Sequence, residues 1–298
     1  MTGRPYSSPA AMRTALEQRL RDRHASTNLP LDRLRKEAAL QRLLARIAAV
    51  APAGSWALKG GIAMIARVGE RARATADADA TWRADQELLR NILDRSGALD
   101  LGDCFEFTIA RGIPIQGEGP DKGIRFPVTA RLASRVFENL HIDINIVTED
   151  PRPIEEITLR NFLDFANIPP VTVPAIKPDQ QLAEKLHAYT RDYGRQGNSR
   201  SKDLYDMLII AQKLPLPPQA GLANACRQTF GLRKTAWPPA LQSPPTFWDG
   251  AWRTYVADYG IQFTTLEEAY NALSRFWEPV FAEPRPYMTW HADNWEWS

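Results

Sequence analysis

The alternation of apolar and polar residues predicts a set of β-strands in the first half of the chain. Between residues 140 and 147, Ile142, Ile144 and Ile146 alternate with polar residues. Alternation of this kind places apolar side chains on one face of a strand and polar side chains on the other. Similar patterns predict strands at residues 55–58, 74–80, 105–110 and 124–132.

Apolar residues that recur every three or four positions predict helices around these strands. The long predicted helices lie at residues 11–28, 31–50, 84–96, 180–193, 201–211, 219–230, 249–258 and 266–277. A shorter helix is predicted to begin at Gly60 and Gly61 and to end at Gly69. Thr265 and Glu268 have the spacing of a capping box, which marks the start of the last helix.

The proline-rich stretch 169–178 separates two regions of different character. Predicted strands and helices are mixed before it, whereas the prediction after it is almost entirely helical. We therefore predict an α/β (α+β) protein of two domains. An α/β domain with N-terminal helices covers residues 1–170, a helical domain covers residues 171–298, and the proline-rich stretch is an extended linker.

The composition is that of a globular protein in a reducing compartment. Of the 298 residues, 44% are apolar, and no run approaches the roughly 20 apolar residues that a membrane span needs. The N-terminal segment has no continuous apolar core, which argues against a secretory signal. Cys104 and Cys226 lack metal-ligand spacing, so they predict free thiols and a cytoplasmic location.

Charge and tryptophan are unevenly distributed. The net charge is only +2, but the first fifty residues hold ten Lys/Arg against four Asp/Glu. Such a basic helical region is compatible with binding the phosphate backbone of RNA, or it is an ordinary solvated helix face. Seven of the nine tryptophans follow residue 236. A cluster of this kind predicts a satellite core, with base stacking or a partner surface as the alternatives.

The first candidate site is the segment Lys59-Gly60-Gly61 between a predicted strand and a predicted helix. Glycines let the backbone approach a ligand closely, and a helix N-terminus favours phosphate. Taken alone, however, a Gly-Gly pair is most often just a tight turn. Arg73 follows shortly afterwards and adds a second cation near this turn.

Asp77 and Asp79 lie two residues apart on the next predicted strand, so their carboxylates point the same way. Adjacent carboxylates repel each other unless a cation lies between them, and oxygen ligands suit Mg²⁺. A solvated strand end is the alternative. Asp143 is a third carboxylate, on the polar face of the strand at 140–147. It is either a shared metal ligand or part of the wet face of an edge strand.

Three carboxylates on two adjacent strands are the arrangement that holds two Mg²⁺ ions for nucleotidyl transfer. The residues therefore indicate a site for a metal and a nucleoside triphosphate. Lys185, from the helical half, is expected to meet the triphosphate, although by itself it is an ordinary surface lysine. Asp203 and Asp206 share one side of their helix. They are either part of this site or acidic residues that complement the dipole at the helix N-terminus.

These segments together resemble the AbiEii-type nucleotidyltransferase toxins, a group that includes the MenT toxins and belongs to the DNA polymerase β-like superfamily. The resemblance rests on Leu58-Lys-Gly-Gly61, Arg73-x-Thr-x-Asp-x-Asp79, the Asp143 strand, the Lys185 helix and Arg200-Ser-Lys-Asp-Leu-Tyr-Asp206, and it covers about residues 30–215. It implies a bilobed fold, with an N-terminal polymerase β-like lobe, a C-terminal helical lobe and the active cleft between them.

The resemblance also implies roles for individual residues. Asp77 and Asp79 become metal ligands, Lys185 contacts the triphosphate, and Asp203 or Asp206 supports the site. Thr75 matches a Ser/Thr position that is phosphorylated in some members when the antitoxin acts as a kinase. The implied cofactor is Mg²⁺ or Mn²⁺ with an NTP substrate.

The implied biology is that of a toxin in a toxin–antitoxin pair, with a cognate antitoxin protein as partner and a role in phage defence. The activity would add nucleotides to the 3′ acceptor end of tRNA and so block translation. Two other functions stay open from the sequence. One is a nucleotidyltransferase for a small molecule such as an aminoglycoside antibiotic, and the other is a non-catalytic module that binds RNA or a protein partner.

Overall fold

A computed structural model of the chain describes residues 6, 8–75, 77–83, 85–115, 122–147, 153–194 and 198–298. The chain divides into two compact units. The first comprises Met1–Ala66 and Ala74–Ala175, and the second comprises Arg67–Arg73 and Ile176–Ser298. Ala76 of the predicted strand 74–80 and parts of the loops at 112–123 and 194–199 lie outside the described residues.

The first unit is built on a mixed sheet with helices. Its helices are α1 Pro9–Thr27, α2 Leu31–Val50, α3 Gly60–Val68, whose last two residues count with the second unit, and α4 Gln86–Ala98. Its strands are β1 Trp56–Lys59, β2 Asp77–Trp82, β3 Phe105–Ile109, β4 Ile113–Pro114, β5 Lys122–Leu132, β6 Arg135–Ile146, β7 Ile154–Thr158 and β8 Thr172–Ile176. Apart from β4, which pairs with β5, the strand order is β3-β5-β6-β2-β1-β8-β7.

Strand alternation decides which face of this sheet is apolar. On β6, Ile142 and Ile144 are buried, and on β2, Ala78 and Ala80 are buried next to them. The intervening polar residues therefore share the opposite face. β2 runs parallel to β6 and antiparallel to β1, while β5 and β6 form an antiparallel hairpin. The polar face at the centre of the sheet is where the predicted carboxylates lie.

A buried ionic cluster ties α2 to the loop before β3. Asp103 is 0% exposed, and its carboxylate accepts hydrogen bonds from Arg42 at 2.6 Å and from Arg46 at 2.9 and 2.7 Å. Burial by itself would raise the pKa of Asp103, but the hydrogen bonds and charges of Arg46 and Arg42 outweigh it and hold the pKa below its ordinary value. Arg42 and Arg46 belong to the basic N-terminal region, but they are buried and compensate the charge of an interior carboxylate.

The second unit is helical. Its helices are α5 Pro178–Thr190, α6 Ser201–Lys213, α7 Gln219–Leu232, α8 Asp249–Tyr259 and α9 Leu266–Phe281. The predicted capping box is confirmed at the start of α9, because Thr265 and Glu268 each accept a backbone hydrogen bond across the helix N-terminus. A short hairpin of β9 Trp290–His291 and β10 Glu296–Trp297 ends the chain.

Trp290, Trp295 and Trp297, the last three tryptophans, form a satellite core with α9. The indole N–H of Trp297 donates to the Phe276 carbonyl oxygen at 2.9 Å, and that of Trp295 donates to the Ala272 carbonyl oxygen at 2.7 Å. Trp290 packs edge-on against Phe276, with ring centroids 4.7 Å apart. Buried indole groups with satisfied donors are typical of a packed core, which is the first of the interpretations offered by the sequence.

The proline-rich stretch 169–178 is not a linker, as the sequence suggested. Residues Thr172–Ile176 form β8, which pairs in parallel with β1 through Leu58 and Ala175. The first unit therefore extends to Ala175 rather than to residue 170, and the segment Arg67–Arg73 belongs with the second unit. Among the described residues, no helix is long and apolar enough to cross a bilayer.

Candidate active site

Four neighbouring strands of the first unit place charged side chains in one row. Lys59 on β1 is in register with Asp79 on β2, Asp79 with Asp143 on β6, and Asp143 with Arg125 on β5. Residues in register on adjacent strands project from the same face of a sheet. Across the sheet, the row therefore has a cation at each end and two carboxylates between them. We refer to these four residues as the charged row.

Asp77 lies on the same face as the charged row, two residues before Asp79. It is in register with His141 of β6, and the Nδ1 atom of His141 lies 3.3 Å from Asp77 Oδ1. The three carboxylates that the sequence predicted as one site, Asp77, Asp79 and Asp143, thus share one face of two adjacent strands. Their proximity is a consequence of the parallel pairing of β2 and β6.

Arg125 pairs with two of these carboxylates. Its Nε donates to Asp143 Oδ1 at 2.8 Å, and its Nη2 donates to Asp143 Oδ2 at 2.6 Å and to Asp77 Oδ2 at 3.2 Å. The hydrogen bond with Asp143, then the charges of the carboxylates, raise the pKa of Arg125 above its ordinary value. Neither Arg125 nor His141 was predicted as a site residue. The alternation of Ile124, Arg125 and Phe126 was the signal that a basic side chain occupies the polar face.

The Gly60-Gly61 turn lies directly against two residues of the predicted site. Gly60 has a φ of +65°, and a Cβ atom there would lie 2.9 Å from Cγ of Asp79. A Cβ atom at Gly61 would lie 2.6 Å from Cβ of Thr75. The Thr75 hydroxyl donates to the Asp77 carbonyl oxygen at 3.1 Å. Glycine is therefore required at both positions, because the turn packs onto Asp79 and Thr75.

Gly61→Ala is expected to lower the free energy of unfolding by about 1–3 kcal/mol, since the new methyl group overlaps Thr75. Urea denaturation of the variant measures this loss. Gly231→Ala, at a helical position with open space around it, is the matched control and should be neutral or slightly stabilising. Equal stability of wild type and Gly61→Ala would contradict the close packing of the turn.

A second ionic cluster lies within the helical unit and contains the other predicted residues. Lys185 Nζ on α5 donates to Asp206 Oδ2 at 2.5 Å and to Asp203 Oδ1 at 3.3 Å, both on α6. Arg73 donates to both oxygens of Asp206, at 2.8 and 2.7 Å. The guanidinium of Arg73, which the sequence predicted near the glycine turn, is thus bonded to Asp206 of this cluster.

Lys185 and Asp206 keep their charges in this cluster, although Asp206 is buried. Burial would lower the pKa of Lys185, but the charges of Asp206 and Asp203 outweigh it and raise the pKa. Burial would raise the pKa of Asp206, but Lys185 and Arg73 hold the pKa below its ordinary value. Lys185 is therefore a fixed cation at neutral pH, as contact with a triphosphate requires.

The segment Arg67–Arg73 is held to the helical unit at several points. Arg67 donates to the Gln181 side-chain oxygen at 2.8 Å, and the hydroxyl of Tyr205 donates to the Arg71 carbonyl oxygen at 2.7 Å. Together with the Arg73–Asp206 pair, these bonds fix the segment Arg67–Arg73 within the second unit. Sequence spacing gave no sign of this anchoring.

The three carboxylates have the oxygen donors and the strand positions that suit a divalent cation, but some of these oxygens are bonded to Arg125. Asp77 and Asp79 offer carboxylate oxygens from one strand face, as Mg²⁺ prefers. Both oxygens of Asp143 are bonded to Arg125. Within the described residues, no three histidine, cysteine or acidic side chains converge on a point where they could hold a metal ion.

Comparison with known proteins identifies one family and one fold. The family model of the AbiEii nucleotidyl transferase toxin of type IV toxin–antitoxin systems matches residues 42–276. Among solved structures, the chain is similar to MenT4, a nucleotidyltransferase toxin from Mycobacterium tuberculosis H37Rv. The TM-score is 0.56 at 15% identity, over 91% of this chain and 98% of that chain. This similarity confirms the predicted nucleotidyltransferase fold.

A second solved structure is more distant, a proposed nucleotidyltransferase from H. pylori. It aligns with a TM-score of 0.45 at 13% identity, over 85% of this chain and 96% of that chain. No curated protein sequence matches the chain.

Proposed function

Because the chain belongs to the AbiEii family of nucleotidyl transferase toxins of type IV toxin–antitoxin systems, we propose that it transfers nucleotides from an NTP to RNA. The proposed acceptor is the 3′ end of tRNA, and the consequence is a block of translation. The observation that carries the proposal is the set of three carboxylates on one sheet face beside the Gly60-Gly61 turn. Carboxylates and close backbone approach are what a metal-bound triphosphate needs.

The first unit is proposed to bind the metal and the triphosphate. Asp77, Asp79 and Asp143 are the proposed ligands of Mg²⁺ or Mn²⁺. A bound divalent cation would neutralise the triphosphate and activate the attacking hydroxyl. The glycine turn begins α3, and a helix N-terminus favours phosphate, while Lys59 adds a positive charge in register with Asp79. Thr75 is the proposed regulatory hydroxyl.

The helical unit is proposed to supply a preorganised cation. Lys185 contacts the triphosphate, while Asp203 and Asp206 hold its ammonium group through the bonds at 3.3 and 2.5 Å. Arg73 satisfies Asp206 from a second side. A cation whose position is fixed before the substrate arrives stabilises developing charge without reorganisation, and this favours phosphoryl chemistry.

The choice of RNA as acceptor rests on the family resemblance and on the basic N-terminal region. Part of that region does not contribute to an external surface, because Arg42 and Arg46 are buried with Asp103. Arg13 donates to the carbonyl oxygens of Leu132, Arg135 and Val136. The small-molecule acceptor, such as an aminoglycoside hydroxyl, therefore deserves a direct comparison with tRNA.

The remaining proposals follow from the family. A cognate antitoxin is the proposed protein partner, the cytoplasm is the proposed location, and phage defence is the proposed biological role. Inhibition of growth on expression, relieved by co-expression of the antitoxin, tests these proposals together.

A transfer assay tests the activity itself. The protein is incubated with each of the four α-labelled NTPs, with Mg²⁺ or Mn²⁺, and with either a tRNA pool or an aminoglycoside. We expect label on tRNA with one or two of the NTPs and none without a divalent cation. Label on the aminoglycoside alone would assign a small-molecule transferase. No label on either acceptor, together with no NTP-dependent rise in Tm, would assign a non-catalytic module.

A further inference from the structure

The side chain of Arg125 occupies the place between two of the proposed metal ligands. Its guanidinium makes a bidentate pair with Asp143, and its Nη2 also reaches Asp77 at 3.2 Å. Arg125 is therefore bonded to carboxylates on two different strands.

The electrostatics require some cation at this place. Asp143 is in register with Asp79 and lies beside Asp77, and its side chain is only 14% exposed. Carboxylates so close together repel each other and favour protonation unless a positive charge compensates. Arg125 supplies one positive charge to this cluster, and Lys59, in register with Asp79, supplies another. Two cations of the charged row therefore face three carboxylates.

We propose that Arg125 is an exchangeable internal counter-ion, which holds Asp143 and Asp77 in the metal-free protein and yields them to a divalent cation. The inference rests on the proposed function, since it concerns how the nucleotidyltransferase site acquires its metal. It assigns Arg125 a regulatory part in metal binding. On release, the guanidinium fork becomes available to phosphate oxygens of the bound nucleotide.

The exposure of Arg125 makes this exchange feasible. Its side chain is 41% exposed, so the guanidinium can leave the carboxylates and be solvated at once. Solvent-exposed ion pairs contribute little to stability, whereas a divalent cation brings two charges and accepts several oxygen ligands. By contrast, Arg46 is fully buried against Asp103 and has no such route to solvent. The Arg125–Asp143 pair can therefore open to solvent, whereas the Arg46–Asp103 pair cannot.

Metal titration of the nucleotide-free protein tests the exchange. Mn²⁺ binding, followed by electron paramagnetic resonance, is compared between wild type, Arg125→Gln and Arg131→Gln. Arg131 lies on the same strand and hydrogen-bonds to Thr108 instead of a carboxylate. Arg131→Gln removes the same positive charge as Arg125→Gln and is therefore the control. We expect Arg125→Gln to bind Mn²⁺ about tenfold more tightly than wild type, and Arg131→Gln to bind as wild type does.

Two further variants make the result specific. Arg125→Lys keeps the charge but loses the bidentate geometry, so its Mn²⁺ affinity should rise less than that of Arg125→Gln. In the double variant Arg125→Gln/Asp143→Asn the gain should disappear, because the oxygens that were freed are removed. A gain that survives without Asp143 would overturn the proposal, as it would then be a general effect of charge.

The other outcomes are equally decisive. Unchanged or weaker Mn²⁺ binding by Arg125→Gln, an equal gain in Arg131→Gln, or no Mn²⁺ binding by any variant would each overturn the exchange. The proposed function is judged separately by label transfer from NTP in the wild-type protein. Transfer without an effect of Arg125 on Mn²⁺ affinity would reject only the exchange. An effect on affinity without transfer to any acceptor would reject only the proposed function.

Discussion

Asp77→Asn is expected to lower kcat/KM for nucleotidyl transfer by roughly 10²–10³-fold, the range found when one charge-stabilising group is removed from an active site. The substitution preserves the shape of the side chain and the strand position in register with His141. It removes a negative charge from the sheet face that carries all three carboxylates. Loss of activity would therefore report on charge and metal binding rather than on folding.

The transfer assay with labelled NTP and tRNA measures this effect, and thermal unfolding verifies that the variant is folded. Asp164→Asn, an exposed position in the same unit, is the control and should retain wild-type activity. If Asp77→Asn were as active as wild type, the carboxylate face would not be the catalytic centre. Asp79→Asn should behave like Asp77→Asn, because both carboxylates project from the same face of β2.

Asp103→Asn is expected to lower the free energy of unfolding by about 3–5 kcal/mol, the cost of removing one partner of a buried ion pair. Asp103 accepts three hydrogen bonds from Arg42 and Arg46, and a fourth from the Phe105 backbone N–H at 3.0 Å. Asparagine leaves two guanidinium groups in the interior without a countercharge. Urea denaturation at pH 7 measures the loss.

Asp94→Asn is the matched control, because Asp94 pairs with Arg90 on the exposed surface of α4. It should change stability by less than about 1 kcal/mol. A loss as small for Asp103→Asn would show that the buried cluster contributes no more than a surface pair.

The stabilisation by Asp103 should also depend on pH. The folded protein holds the pKa of Asp103 below its ordinary value of 3.8, so the carboxylate binds protons more readily in the unfolded chain. Its contribution is therefore fully present above pH 3.8 and is lost as the pH falls toward the folded pKa. The difference in stability between wild type and Asp103→Asn should shrink below about pH 4. A constant difference from pH 7 to pH 3 would contradict this assignment.

Local patterns predicted most individual elements of the chain. The isoleucine alternation located β6, and the spacing of Thr265 and Glu268 located the start of α9. Both features are visible in sequence because they depend on the period of a strand and on capping contacts within one turn. The same alternation correctly placed Asp77 and Asp79 on one face of a strand. Their role as metal ligands stays a prediction.

The errors concern pairings between distant residues. The stretch 169–178 was interpreted as a linker because its prolines suggested a break, yet Thr172–Ile176 pairs with β1 from more than one hundred residues earlier. The placement of Arg73 near the glycine turn stays a prediction, and spacing along the chain gave no sign of its partner Asp206. Nothing in the local composition specifies such partners.

The sequence by itself determined the periods of the elements, the positions of Asp77, Asp79 and Asp143 on polar strand faces, and the family resemblance. Only the tertiary structure decided which side chain compensates those carboxylates. Arg125 meets Asp143 because the hairpin of β5 and β6 sets that register, and it reaches Asp77 because β2 lies on the other side of β6. Electrostatic compensation depends on distances of a few ångströms, and sheet order fixes those distances where spacing along the chain cannot.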